Sequence, residues 1–219
     1  MERVLEPELM TDPVQAEAYA SADFGSVNQA FVDRFRALFP DLVRGRLVDL
    51  GCGPADIPIR LCQALPGVTV IGVDGSEAML APGRRAIAAA GLRSRIELVH
   101  ARLPGLPRPP GGFDGVISNS LLHHVPEAGV FWAEVARLGR TGAAVLVVDL
   151  SRPDTRDRAR AIVEAYAAAD PDVLRRDFFH SLCAAFTTAE VAAQLATAGL
   201  TGLRVETISD RHWAAWGRL

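Results

Sequence analysis

A short apolar run closed by an acid and followed at once by glycines restricts this chain to few folds. Residues 47–57 read L-V-D-L-G-C-G-P-A-D-I, and Asp74 follows Asp49 by 25 positions, at the end of a second apolar run at 68–73. Strand, glycine turn, helix, strand and acid in this order are how an α/β protein holds a nucleoside. The 219 residues suffice for one domain.

Alternation of apolar periods extends the pattern. Helices are predicted at 13–22 and 26–39, then strand 46–50, helix 55–64, strand 68–73 and helix 76–90, with Ser76 as N-cap and Gly91 as C-terminal stop. Strand 95–99, a proline- and glycine-dense loop at 103–112, strand 113–118, helix 126–138 and strand 143–150 follow. The last of these is so apolar that both faces should be buried, as in a parallel sheet. Residues 152–186 hold two polar helical stretches and no strand; a helix at 188–198, capped by Thr187 or Thr188, and strands at 203–208 and 212–216 complete the chain. The expectation is a doubly wound, mostly parallel seven-stranded α/β sheet with an antiparallel last strand. It forms a single domain over 1–219, with an N-terminal helical cap (1–40) and a helical lid inserted after strand 5 (152–186).

Composition removes several chemistries. All 23 basic residues are arginine. A lysine Schiff base and a P-loop lysine are therefore excluded. The net charge of −3 gives no reason to expect nucleic acid or an anionic membrane as partner. The three cysteines (52, 62 and 183) show no C-x-x-C spacing, so neither a disulfide framework nor a thiolate metal site is expected. Residues 1–10 lack a signal-peptide core, and no apolar run is long enough to span a bilayer. These readings predict a cytoplasmic protein with a small-molecule substrate and no metal; they leave the oligomeric state open.

The turn itself selects among nucleosides. A dinucleotide fingerprint needs G-x-G-x-x-G, whereas Gly51-Cys52-Gly53-Pro54-Ala55-Asp56 lacks the third glycine. Pro54 and Pro58 lack amide donors that would otherwise serve a pyrophosphate. The acid at Asp49 suits a cationic ligand, and Asp74 can accept from both hydroxyls of a ribose. A nucleoside carrying a cationic amino-acid arm, S-adenosylmethionine, satisfies all of this.

V-D-L-G-C-G-P, G-V-D-G-S-E-A-M-L, F-D-G-V-I-S-N-S-L-L-H-H-V and A-V-L-V-V-D-L occur in that order. With them the chain resembles the class I S-adenosylmethionine-dependent methyltransferases over nearly its whole length. The resemblance implies that Gly51, Cys52 and Gly53 approach the methionine arm, with Asp49 beneath it. It implies Asp74 at the ribose with Gly75 and Ser76 beside it, and Asn119 and Ser120 at the methyl-transfer end. Met79 either packs on the adenine or is plain core. The family often has an acid after the third strand to hold the adenine amino group. His100-Ala101-Arg102 stands here instead, so His100 or the Ala101 backbone would take that contact. S-adenosyl-L-homocysteine would be the product.

Cys52 itself reads as a small packing residue, since nothing places a base beside it. His123 and His124 either order a helix start or touch the substrate. Tyr19, with Phe24, Asn28 and Phe31, lies in the N-terminal segment that in resembling proteins folds over the cofactor; an aromatic there can face a sulfonium. In the insertion, Arg175 and Arg176 are candidate carboxylate or phosphate clamps, as is Arg152 after strand 5. Asp177 and His180 are candidate bases. The competing reading for this stretch is a solvated helix with surface ion pairs. Two other functions stay open: a cofactor-binding enzyme of this fold doing non-methyl chemistry, such as cyclisation of the cofactor's amino-acid arm, or a non-catalytic binding protein.

Overall fold

The computed structural model describes every residue except 7–9, 23 and 107. The reading of residues 1–10 and that of the loop 103–112 therefore fall partly outside the described residues. Strands β1 (Arg44–Leu50), β2 (Gly67–Asp74), β3 (Ile96–His100), β4 (Phe113–Asn119), β5 (Gly139–Leu150), β6 (Leu203–Thr207) and β7 (His212–Arg218) form one sheet in the order β3-β2-β1-β4-β5-β7-β6. All neighbours pair in parallel except β7, which runs antiparallel to both β5 and β6. Strand order reverses between β1 and β4. In open α/β sheets that switch point opens a crevice at the strands' carboxyl ends.

The helices are α1 (Pro13–Ser21), α2 (Gly25–Leu38), α3 (Asp56–Ala64), α4 (Glu77–Ala89), α5 (Ala128–Leu138), α6 (Arg156–Ala167), α7 (Asp172–Ala184) and α8 (Thr188–Thr197). Period-2 alternation sorts the strands onto two cores. Val48, Leu50, Val145 and Val147 point to Phe131, Trp132 and Val135 of α5 and to Val191 and Leu195 of α8. Leu47, Leu146 and Val148 point to the other face, against Phe31, Val32 and Phe35 of α2 and Leu61 of α3. Both faces of β5 are thus covered, as its composition requires. Burying a side chain such as Phe35 or Trp132 contributes about 1.5–3 kcal/mol.

Local chemistry sets the element ends. The Ser76 hydroxyl accepts from the Met79 amide at 3.3 Å and caps α4. Thr187, rather than Thr188, caps α8, in a reciprocal capping box with Glu190. Gly91 adopts φ +69° after α4. Helix 126–138 departs from expectation: Leu122–His124 form a 3-10 turn and α5 begins only at Ala128. Pro126 lies in the break, where it disfavours helical geometry in the residue before it.

The segment after β5 builds α6 and α7, which bury Ala159, Ile162, Val163 and Leu182 in a small core of their own beside Leu150. Residues 1–6 lie across it. The Val4 amide donates to the Cys183 carbonyl at 3.0 Å, and Arg3 bonds the carbonyls of His123, Val125, Pro126 and Ala184. No helix among the described residues is long and apolar enough to cross a membrane.

Candidate active site

A cleft of about 540 Å³ opens at the carboxyl ends of β1, β2 and β4, roofed by α1 and the start of α2. Its floor is the turn after β1. Gly51 and Gly53 have φ +73° and +50°, in the region that favours glycine. A Cβ on Gly51 would lie 2.8 Å from the Leu121 Cβ, and one on Gly53 would lie 3.3 Å from the Met79 methyl carbon. Leu121 and the backbone exclude a side chain at Gly51, while at Gly53 the positive φ disfavours one and the Met79 methyl would have to shift. Ala55, also left-handed at φ +66°, closes it and starts α3.

Two carboxylates face this cleft. Asp74 ends β2, and its oxygens accept from the Gly53 and Ser76 amides, both at 2.8 Å. Each oxygen keeps a lone pair for a hydroxyl. Burial pushes Asp74 above the ordinary carboxylate value, against these amide bonds and the nearby His100. Asp49, at the end of β1, is almost fully buried and is pushed well above its ordinary value, by desolvation first and by Asp74 second. Among the described residues no cation pairs with Asp49. A buried, unneutralised carboxylate beside a bare glycine turn fits the ammonium of an amino-acid arm, and Asp74 fits a ribose diol. The residues present therefore suit S-adenosylmethionine.

The roof supplies aromatic surface. The Tyr19 and Phe24 rings lie 4.7 Å apart. Part of Tyr19 stays open to the cleft, yet crowding by the protein, then Asp74, pushes its phenol up to about 12. It stays protonated at neutral pH. Asn28 donates to Asp56 at 2.9 Å, and Arg60 pairs with the same carboxylate at 2.6 Å, tying α2 to α3. The Ser76 hydroxyl donates to the Met10 carbonyl at 2.7 Å, and Glu17 pairs with Arg85 at 2.7 Å, tying α1 to α4.

Asn119, Ser120 and His124 form the far wall. Ser120 is held at φ +57° while its amide donates to the Val148 carbonyl at 2.9 Å. Strained non-glycine residues of this kind concentrate at functional sites. Asn119 also borders a second groove of about 710 Å³, whose apolar wall includes Val27, Phe31, Leu38 and Ile208. Phe31 is thus both core and groove wall.

The two adjacent histidines have different environments. His123 is buried, its Nδ1 2.6 Å from Asp149 Oδ1 and its amide donating to Asp149 Oδ2 at 3.1 Å. Burial lowers its proton affinity, but Asp149, and then Glu6, outweigh it and hold the imidazole above its ordinary value. Asp149 responds in the opposite sense: burial would raise it, and His123 with two backbone amides holds it low. His124 is pushed down to about 3 by burial and by His123, so it is neutral.

The structure therefore brings Tyr19, Phe24, Asn28, Asp49, Gly51, Cys52, Gly53, Asp74, Gly75, Ser76, Met79, Asn119, Ser120 and His124 to one cleft. Burial, Asp49 and Asp74 hold the Cys52 thiol well above its ordinary value, so it is no nucleophile. Several candidates lie elsewhere. His100 is exposed, with Nε2 3.0 Å from the Gly75 carbonyl, and the Ala101 amide is spent on the Asp74 carbonyl at 3.0 Å. Arg102 is exposed. Arg152 is no free clamp: it pairs with Glu190 at 2.6 Å and bonds the carbonyls of Ala185 and Met1. Arg175 pairs with Glu164 at 2.7 Å, Asp177 accepts from Gln15 at 2.6 Å, and Arg176 and His180 are exposed outside the cleft. In these residues the ion-paired helix reading prevails, because nearby acids and amides satisfy the charges.

Sequence reasoning missed Glu6, which lies 3.3 Å from His124 Nδ1, and Asp149, the partner of His123. An acid ending an otherwise apolar strand was the available signal for Asp149.

Comparison with known proteins agrees with this geometry. Residues 47–142 match the methyltransferase domain family. The demethylmenaquinone methyltransferase of Symbiobacterium thermophilum is 32% identical over 111 residues, covering 50% of this chain and 44% of that protein. The 27-O-demethylrifamycin SV methyltransferase of Amycolatopsis mediterranei is 26% identical over 197 residues, covering 90% and 68%. The chain spans about half the length of the first curated relatives it matches. A putative S-adenosyl-L-methionine-dependent methyltransferase from Methanococcus maripaludis shares the fold, with TM-score 0.74 and 15% identity, covering 98% of this chain and 97% of that one. The motif-bearing strands, the switch-point cleft and these relatives agree: residues 47–142 are similar to the methyltransferase domain, and the chain shares the fold of S-adenosylmethionine-dependent methyltransferases.

Proposed function

We propose that this protein transfers the methyl group of S-adenosylmethionine to a small-molecule acceptor by in-line displacement. The observation that carries this reading is the sharing of one cleft by Asp49 and Asp74, on the cofactor side, and Asn119, Ser120, His124 and Tyr19, on the far side. When bound, the cofactor supplies a methyl group on a sulfonium, and its displacement by an acceptor lone pair leaves neutral S-adenosylhomocysteine.

The chain's own residues orient and desolvate. Asp49 would hold the ammonium, and Asp74 the ribose hydroxyls, fixing the methyl carbon toward Asn119. The acceptor would lie in the apolar groove beside Asn119, along Phe31 and Val27. Tyr19 would present its ring to the positive sulfur. His124 offers a neutral imidazole with little proton affinity. The cleft thus positions a nucleophile far better than it deprotonates one, and proximity is the main source of rate. Acceptors with an available lone pair or an electron-rich carbon suit it best.

The test is incubation with S-adenosylmethionine and panels of small acceptors, with nucleoside products read by mass spectrometry. S-adenosylhomocysteine with a matching methylated product is expected. Methylthioadenosine in its place would support cyclisation of the amino-acid arm, and absence of any cofactor binding would support the non-catalytic reading.

A further inference from the structure

Glu6, His123 and His124 come together from two remote segments of the chain. Their ligating atoms, one per residue, all lie within 4.8 Å of one another. Glu6 Oε2 is 3.3 Å from His124 Nδ1 and 3.8 Å from His123 Nε2. Four-coordinate zinc with bonds of about 2.0–2.1 Å places its ligand atoms roughly 3.3 Å apart. The two separations from Glu6 lie at that edge length and about half an ångström above it.

Three further features distinguish the cluster from a chance grouping. His124 Nδ1 is buried and makes no aligned hydrogen bond, despite the nearness of Glu6. His123 turns Nε2 toward Glu6 because Asp149 holds Nδ1 at 2.6 Å. A carboxylate on the far nitrogen of an imidazole is the usual support of a metal-bound histidine, fixing its tautomer and orientation. Glu6 is itself held, accepting from the Ser181 hydroxyl at 2.9 Å. Two imidazoles and a carboxylate are a donor set that zinc and similar transition metals accept.

We propose that Glu6, His123 and His124 form a binding site for a divalent transition metal of the zinc class. The ion joins the N-terminal segment to the 3-10 turn that carries His124 into the cleft wall. Arg3 already spans the same junction through its bonds to the carbonyls of His123, Val125 and Pro126. The metal adds a cross-link between that segment and the wall. The site shares His124 with the far wall of the cleft but uses neither Asp49 nor Asp74, so metal binding can be tested without methyl transfer.

The test uses the full chain, stripped with chelator and titrated with Co(II), then with Zn(II) in competition. One equivalent of Co(II) should bind and give the intense visible bands of a four-coordinate ion, and Zn(II) should displace it. Glu6→Gln should retain the fold by circular dichroism and weaken Co(II) binding by roughly tenfold or more, the scale on which metal sites respond to altered surroundings. His180→Ala, which removes an exposed histidine, should bind as the wild type does. Absence of a stoichiometric site in the wild type would overturn the proposal. So would equal affinity in Glu6→Gln, or loss of binding in His180→Ala.

Discussion

The Asp74 carboxylate accepts the backbone N–H of Gly53 at 2.8 Å, joining the acid that ends β2 to the glycine turn that ends β1. One side chain thereby shapes the floor of the cleft while its remaining lone pairs stay available at the cleft. The turn and the acid are a single structural unit, and losing either affects both binding and local order.

Asp74→Ala removes the two amide bonds and the hydroxyl acceptor together. Hydrogen bonds to a charged group are worth about 1.5–3 kcal/mol each. S-adenosylhomocysteine affinity should fall at least tenfold by calorimetry, with a Tm loss in the unliganded protein. An unchanged dissociation constant would remove Asp74 from the cofactor site.

Asp49 carries opposite effects on stability and binding. Its folded-state pKa lies well above the ordinary value of 3.8 because burial and Asp74 disfavour its charge. The folded state therefore binds the proton more tightly than the unfolded state, and stability falls as pH rises from about 3.8 through the folded value. Asp49→Asn should be more stable than the wild type at neutral pH by thermal unfolding. An ammonium ligand needs the ionised form, so wild-type affinity should weaken on acidification before an ordinary aspartate would titrate. Asp49→Asn should bind weakly, without that pH dependence.

Gly51→Ala places a Cβ 2.8 Å from the Leu121 Cβ at φ +73°. Strain of this kind costs about 1–3 kcal/mol before the steric clash is added. The variant should melt several degrees lower, at about 2–4 °C per kcal/mol for a chain of this size. An unchanged Tm would show that the turn relaxes freely.

Glu134 holds the loop before β4: it accepts from the Leu106 amide at 3.0 Å and pairs with Arg137 at 2.6 Å. Arg137, then the Leu106 and Gly105 amides, outweigh burial and hold its pKa below 4.5. This stabilisation is present above about pH 4.5 and is lost as pH falls through the lowered folded value. Glu134→Gln should cost about 1–3 kcal/mol near neutral pH. Its difference from wild type, followed by denaturant unfolding, should shrink in acid.

The parts of the site legible in the sequence are those written in local chemistry. The strand–turn–acid unit of Asp49, Gly51, Gly53 and Asp74, the Ser76 cap and the doubly buried β5 each follow from neighbours close in the chain. The illegible parts depend on remote partners. Glu6 reaches His124 only because residues 1–6 lie across the 3-10 turn. Arg152 loses its availability to Glu190, and Asp177 to Gln15; no spacing rule announces either pairing. The helix read from Pro126 begins two residues later, at Ala128, and the 3-10 turn before it was not read.

Every role proposed for the cleft rests on the Gly51–Gly53 turn and Asp74 holding S-adenosylmethionine. Calorimetric titration of S-adenosylhomocysteine into the wild type and Asp74→Ala tests it most directly. One equivalent should bind to the wild type, and the variant should bind at least tenfold more weakly. No binding to the wild type, or equal binding to both, would contradict it.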